Sequence, residues 1–313
     1  MVERANARVA YINGEYVPEH EARVSFRDRS FRYGDGVFDM TRTFNGEPFR
    51  LKEHIDRFYD SLRYVAIDPV LSPDEMIANS EEVLARNRHL LSEGEDFWLG
   101  QRVTRGVEPV EGEEVEQEGP TVIVECTPLP LRKRARLFRD GIDVVVPSIR
   151  RIPPESLSPR AKTHNYMNVI LADLEARAHN PEAWAVLLDV NGNLTEGMGS
   201  NVFLVKHGAL YTPRDRFVLA GISRRTVIEL ARDLGITVHE TDIDPFDARN
   251  ADEAFLTSTS LCICPVRTVN GTAIGDGRVP GPVTARLTRA YVELVSCDFV
   301  AQYLRHVKEA AAA

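Results

Sequence analysis

Over the first fifty positions, short stretches in which apolar residues alternate with polar ones are broken by turn-forming pairs. Val9 to Val17 contains Asn13-Gly14 and Val37 to Phe49 contains Asn45-Gly46, so each predicts an antiparallel hairpin. The period then changes. From Leu51 to Val65 the apolar positions Leu51, Ile55, Phe58, Leu62 and Val65 recur at helical spacing, which leaves His54, Arg57 and Ser61 on a different face. Ser72-Pro73-Asp74-Glu75 has the pattern of a capping box with proline at the first helical position and predicts a second helix. Phe97 to Arg105 and Pro120 to Cys126 read as strands, and the acidic stretch Glu111 to Gln117 between them reads as a solvated loop.

Two prolines in Pro128-Leu129-Pro130 hold the backbone extended between periodic segments and mark a boundary. The expected division is a small α/β domain over 1–127, a linker over 128–133 and a larger domain over 134–313. In the larger part, Gly141 to Pro147 predicts a strand, and Tyr166 to Arg177 a helix stopped by Asn180-Pro181. Trp184 to Asp189 and Ser200 to Val205 predict strands joined through Asn191-Gly192, and Ile222 to Leu234 a helix ended by Gly235. Ile236 to Glu240 and Ala254 to Thr257 are further short strands. This alternation implies an α+β or barrel-like second domain.

The 47 acidic against 38 basic residues leave a net charge of -9, which repels phosphate backbones and anionic lipid. Nucleic acid and membrane surfaces are therefore poor partners, and a small-molecule site fits better. Met1 to Asn6 lacks the features of a signal peptide and no apolar run approaches a membrane span, so a cytoplasmic location is expected. Four cysteines, Cys126, Cys262, Cys264 and Cys297, are too few for a disulfide framework in 313 residues. Cys262 and Cys264 have no second pair to complete a metal site, so buried thiols and no metal are expected.

Five places carry polar groups suited to a phosphorylated pyridine aldehyde, each with an ordinary alternative. Lys162, ahead of an apolar helical run, suits a Schiff base if desolvated; otherwise it is a solvated lysine. Glu196 in Thr195-Glu196-Gly197-Met198-Gly199 can sit beside a pyridine nitrogen, or be a surface residue of a hairpin. Ala220-Gly221-Ile222-Ser223 opens a helix whose backbone N–H groups suit phosphate, or whose end Ser223 caps. Thr257-Ser258-Thr259-Ser260 is a hydroxyl cluster or a plain turn. Arg57 suits a bidentate phosphate clamp or an i,i+4 pair with Glu53.

Taken in order, these pieces resemble the fold-type IV family of pyridoxal-phosphate (PLP) enzymes, which holds branched-chain and D-amino-acid aminotransferases, (R)-selective amine transaminases and aminodeoxychorismate lyases. The resemblance runs from Val9 to about Thr288 and rests on Phe31-Arg32-Tyr33-Gly34-Asp35-Gly36-Val37-Phe38-Asp39, Leu51 to Ser61, Lys162 to Tyr166, Glu196 to Asn201, Gly221 to Arg224 and Phe255 to Val266. It implies a small α/β domain, a larger pseudo-barrel domain, PLP in the cleft between them and a homodimer. By the same resemblance Lys162 is the Schiff-base lysine and proton carrier, and Glu196 pairs with the pyridine nitrogen. Arg57, the amides of Ile222 and Ser223, and Thr259 would hold the phosphate, and Tyr166 would bond the phenolic oxygen. Tyr33, Phe38 and Trp98 would line the substrate pocket, with the Ser260-Leu261 turn offering amides to a carboxylate.

Within the family, Lys162-Thr163-His164-Asn165-Tyr166 is similar to compact archaeal branched-chain enzymes, and Arg150-Arg151-Ile152-Pro153-Pro154 to (R)-amine transaminases. Gly100 stands where the branched-chain pattern has a carboxylate-organising arginine, and Val107-Glu108-Pro109-Val110 replaces the Arg-x-His of D-amino-acid enzymes. Strand alternation puts Trp98, Gly100 and Arg102 on one face, so the missing side chain is expected to leave space for a bulky apolar group, with Arg102 the nearest replacement cation. The leading expectation is a transaminase moving an amino group between an amino acid or (R)-amine and a 2-oxo acid. The alternatives are a branched-chain L-amino-acid aminotransferase proper, a lyase of the same fold, and a PLP-binding protein without turnover.

Overall fold

The computed structural model describes residues 6–112 and 119–307. They fall into two compact units, one within Met1–Leu129 together with Ala161–Asn165, the other within Pro130–Arg160 and Tyr166–Ala313. In the first unit the strands are β1 (Val9–Ile12), β2 (Glu15–Pro18), β3 (Gly36–Phe44), β4 (Glu47–Pro48), β5 (Phe97–Thr104) and β6 (Val122–Pro128). Its helices are α1 (Arg29–Tyr33), α2 (Leu51–Tyr64) and α3 (Pro73–Asn87). The strands lie in the order β2-β1-β6-β5-β3-β4 with antiparallel pairing throughout. Both Asn-Gly pairs make the expected hairpins, and the Ser72–Glu75 capping box closes with both its reciprocal hydrogen bonds.

Strand alternation and the helical stripe meet in one core. Val37, Leu99, Val103 and Val124 from the sheet pack with Ile55, Phe58 and Leu62 of α2 and Met76, Val83 and Leu84 of α3. Each such side chain contributes roughly 1.5–3 kcal/mol on leaving water. The opposite face of the sheet therefore carries Phe38, Met40, Trp98, Gly100, Arg102 and Glu125, since neighbours along a strand point to opposite sides.

The sequence placed 134–313 wholly in the larger domain, and here the structure differs. Ala161–Asn165 belongs to the first unit because Thr163 bridges Val37, Phe38 N–H donates to Lys162 O at 3.0 Å and His164 N–H to Gly36 O at 2.8 Å. The expected linker over 128–133 is likewise divided, for helix α4 (Leu131–Asp140) begins inside it. Its buried stripe, Leu131, Ala135 and Phe138, is obscured in the sequence by interleaved basic residues. The acidic stretch falls largely at 113–118, outside the described residues.

The second unit continues with β7 (Ile142–Val145), α5 (Met167–His179), β8 (Trp184–Ala185), β9 (Glu196–Gly197), β10 (Ser200–Lys206), β11 (Ala209–Thr212), α6 (Ile222–Asp233) and β12 (Val238–Glu240). There follow α7 (Pro245–Arg249), β13 (Glu253–Ser258), β14 (Cys262–Val269), β15 (Thr272–Ala273), α8 (Pro282–Val295) and α9 (Phe299–Leu304). The order is β12-β11-β10-β13-β14-β7-β8, with β9 on β10 and β15 on β14; β11 with β12, β14 with β7 and β7 with β8 run parallel. Inside it Phe203 and Phe255 stack with ring centroids 4.9 Å apart. Of the strand expected over Trp184 to Asp189, only Trp184–Ala185 is regular. Beyond it Leu188 bridges both Arg150 and Leu194, so the Asn191-Gly192 turn leads back to β9 and a second turn is needed to reach β10. No helix among the described residues is long and apolar enough to cross a membrane, and no group of described residues has the make-up of a metal site. None of Cys126, Cys262, Cys264 and Cys297 is part of a disulfide, and burial pushes the Cys126 thiol up to about 12.

Candidate active site

In the first unit Lys162 lies in an extended segment on the edge of β3, five residues before α5 begins. Its Nζ stands over the Phe38 ring, 4.7 Å from the centroid. Lys162 N–H donates to Ser61 Oγ at 3.1 Å, and Ser61 Oγ donates in turn to Arg57 O at 3.0 Å. Ser61 therefore fixes the lysine segment to the turn of α2 that carries Arg57. The Arg57 guanidinium makes a bidentate contact with Asp39 of β3, at 2.9 Å from Nε and 2.7 Å from Nη2, and His54 Nδ1 lies 2.7 Å from the same carboxylate. Burial alone would raise the Asp39 pKa; the Arg57 charge and the His54 hydrogen bond outweigh it and hold the carboxyl well below its usual range. His54 is pushed down by burial, against the pull of Asp39.

The second unit brings together the other group of expected residues. Glu196, Asn201 and Thr257 are cross-strand neighbours on β9, β10 and β13. Glu196 is buried and accepts from Arg151 Nε at 3.1 Å and from Leu219 N–H at 2.8 Å. Asn201 Nδ2 donates to Leu219 O at 3.0 Å. The two side chains thus clamp the segment that enters α6, relating the carboxylate rigidly to the helix N-terminus. Sequence reasoning allowed Ser223 to cap that helix; the cap position is instead Gly221, and no side chain caps the first turn. Only glycine fits there, since a Cβ would lie 2.2 Å from Asn201 Oδ1. Gly221→Ala is accordingly expected to cost about 1–3 kcal/mol of stability by overpacking, read from the denaturant midpoint. Shortening the neighbour in Gly221→Ala/Asn201→Ser should recover part of the loss; a double variant no better than the single one would refute the clash.

Of the expected pocket residues, Phe38 is beside Lys162 and packs against His164, whose ring centroid is 5.6 Å away. Burial, helped by the Arg102 charge and opposed by Asp28, pushes His164 down to about 4, so its ring is neutral at pH 7. Trp98 is half-buried on the same sheet face. Tyr33 ends α1 as an exposed residue between Arg29 and Arg32, its hydroxyl donating to Glu108 at 3.3 Å. Tyr166 is at the N-cap position of α5 and packs against the buried cluster of Val169, Ala172, Ala176, Ala185 and Leu187. Thr259, Ser260 and Leu261 form the turn between β13 and β14. Leu261 N–H, expected to face a carboxylate, instead donates to Ser258 Oγ at 3.1 Å within that turn. The space expected beside Gly100 is also filled, because a Cβ there would lie 2.8 Å from Met40 Sδ and 3.3 Å from Glu125 Oε1. Asp39 and Arg151, which orient Arg57 and Glu196, stood in the sequence only within longer motifs and carried no role of their own there; the signal for Asp39 was an acidic residue at an inward position of a strand.

The amino-transferase class IV family matches residues 36–269, so this chain belongs to the class IV aminotransferases, and it is an aminotransferase of the fold-type IV architecture. Enzymes of this class use PLP. A putative branched-chain-amino-acid aminotransferase of Methanocaldococcus jannaschii is 38% identical over 285 residues, covering 91% of this chain and 95% of that one. The D-alanine aminotransferase of Listeria monocytogenes is 30% identical over 288 residues, with the same 91% and 95% coverage. Among solved structures, the branched-chain amino acid aminotransferase of Escherichia coli aligns with a TM-score of 0.83 at 32% identity, over 93% of this chain and 95% of that one.

Proposed function

We propose that this aminotransferase carries PLP covalently on Lys162 and moves an amino group between an amino acid or (R)-amine and a 2-oxo acid. The observation that carries the assignment is the Ser61 link, which holds Lys162 in register with Arg57. The residues fit the group. The first turn of α6 has no side-chain cap, and the buried Thr257 Oγ1 has no partner among the described residues, both of which suit phosphate oxygens. Ile222 and Ser223 amides, Thr259 and Arg57 would hold the phosphate, Tyr166 the phenolic oxygen and Glu196 the pyridine nitrogen. Bound there, the cofactor supplies an aldehyde carbon and a ring that accepts electrons from the substrate carbon.

Lys162 then has two tasks, attachment and proton transfer, both at Nζ. Glu196, held by Arg151 and the Leu219 amide, keeps a proton on the ring nitrogen. Glu196→Gln is expected to retain the cofactor and to slow turnover by roughly 10²-fold or more, measured as single-turnover rates beside a PLP binding titration. A variant with full rate would end that role for Glu196. Met167, Ile170, Leu171 and Leu174 leave an exposed apolar stripe along α5, which supports a homodimer, and four cysteines outside any disulfide suit a cytoplasmic setting. Borohydride reduction followed by peptide mapping tests the central assignment; recovery of the label on a lysine other than Lys162 would overturn it. A donor panel of L-leucine, L-glutamate, D-alanine and (R)-1-phenylethylamine then assigns the amino donor.

A further inference from the structure

On the face of the first unit's sheet that is turned away from α2 and α3, an ion pair shares the Phe38 ring with Lys162. The Arg102 guanidinium lies over the same Phe38 ring as Lys162 Nζ, 5.2 Å from its centroid. Arg102 Nε donates to Glu125 Oε1 at 2.9 Å, and the two side chains remain 35% and 28% exposed. Glu125 is directly across from Gly100, with Met40 on the other side of that glycine. Because a side chain at position 100 would collide with Met40 Sδ and crowd Glu125, the glycine is what lets Glu125 cross the strand to reach Arg102.

We infer that Glu125 determines substrate specificity: by neutralising Arg102 beside the reactive lysine, it makes the enzyme select substrates with an uncharged side chain over those with a second carboxylate. The inference rests on Lys162 being that lysine. Two physical effects act in the same direction. The Glu125 charge opposes an incoming carboxylate, and the Arg102 Nε that would form part of a bidentate contact is already occupied. Half-exposed ion pairs are weak, so the outcome is a severalfold preference and not an absolute block.

Glutarate and pentanoate, unreactive acids of equal length, separate this idea from others when titrated calorimetrically into the PLP-loaded protein. Glu125→Gln should improve glutarate binding relative to pentanoate by about fivefold, and Arg102→Gln/Glu125→Gln should lose that gain. Arg102→Gln alone, which leaves Glu125 without its counter-charge, should move the ratio the other way and serves if the glutamine at 125 impairs folding. The kcat/KM ratio for 2-oxoglutarate over 2-oxopentanoate should follow the same order. An unchanged ratio in Glu125→Gln, or a gain that survives loss of Arg102, overturns the role of Glu125. If those ratios fail while borohydride still labels Lys162, only this role falls; labelling elsewhere removes the reading beneath it.

Discussion

Lys162→Ala is expected to abolish transamination, lowering the rate by roughly 10⁴-fold or more, while the protein remains folded. The size follows from the two tasks assigned to Nζ, because an alanine can neither attach the cofactor nor carry its proton. Retention of the fold follows from the backbone. Phe38 N–H to Lys162 O and Lys162 N–H to Ser61 Oγ are main-chain bonds of residue 162 that the substitution leaves in place. The segment 161–165 should therefore stay on the edge of β3, and the thermal midpoint should move little. Stopped-flow assays of both half-reactions, with and without an added small primary amine, provide the check. Partial recovery by the amine would confirm that the lost group is an amine base. A variant that turned over at more than about 1% of the wild-type rate, against the loss expected for a removed base and nucleophile, would show that another residue does the chemistry.

The second large effect concerns a residue that acts through Arg57. Asp39→Asn removes the counter-charge of a buried Arg57, and breaking a buried pair in this way costs about 3–5 kcal/mol. Cofactor retention should fall with it, since Arg57 would no longer be held in one orientation for the phosphate. The pH dependence gives an independent signature. The folded Asp39 carboxyl titrates well below its unfolded value, so its contribution is fully present above the ordinary carboxylate range, about 3.9, and is lost as the pH falls through that range toward the folded value. Urea midpoints of the wild type should therefore drop as the solution is acidified below about pH 5. In Asp39→Asn the midpoint should start lower and fall less steeply. Parallel acid limbs for the two proteins would mean that Asp39 is not the group responsible.

Much of the first unit was legible because its signals are local. An Asn-Gly pair sets a hairpin register within a few residues, and the Ser72–Glu75 box needs only one turn of helix. The spacing from Leu51 to Val65 likewise foretold the apolar stripe of α2 that packs into the core, and it grouped His54, Arg57 and Ser61 apart from that stripe, but it did not foretell that those three would be buried too. Helix α4 escaped notice because its three buried positions are separated by charged residues. The domain assignment of Lys162 escaped for a different reason, since a short segment can join a strand edge far away in sequence without any periodicity of its own.

By itself the sequence determined the type and limits of many elements and the inventory of groups available for chemistry: a lysine, an arginine, a carboxylate, a helix N-terminus and a hydroxyl turn. It did so because hydrogen bonding within hairpins and helices, and the spacing of apolar residues along them, act over short distances in the chain. Only the tertiary structure decided which charges neutralise which. Arg57 could have met Glu53 on its own helix and met Asp39 instead, 18 residues away; Glu196 found Arg151 across 45 residues; and Arg102 reached Glu125 over the glycine at 100. Those pairings depend on strand register and on how completely each charge leaves water. Both quantities arise only when distant segments pack together, which is why the residues that orient the candidate site were harder to read than those that form it.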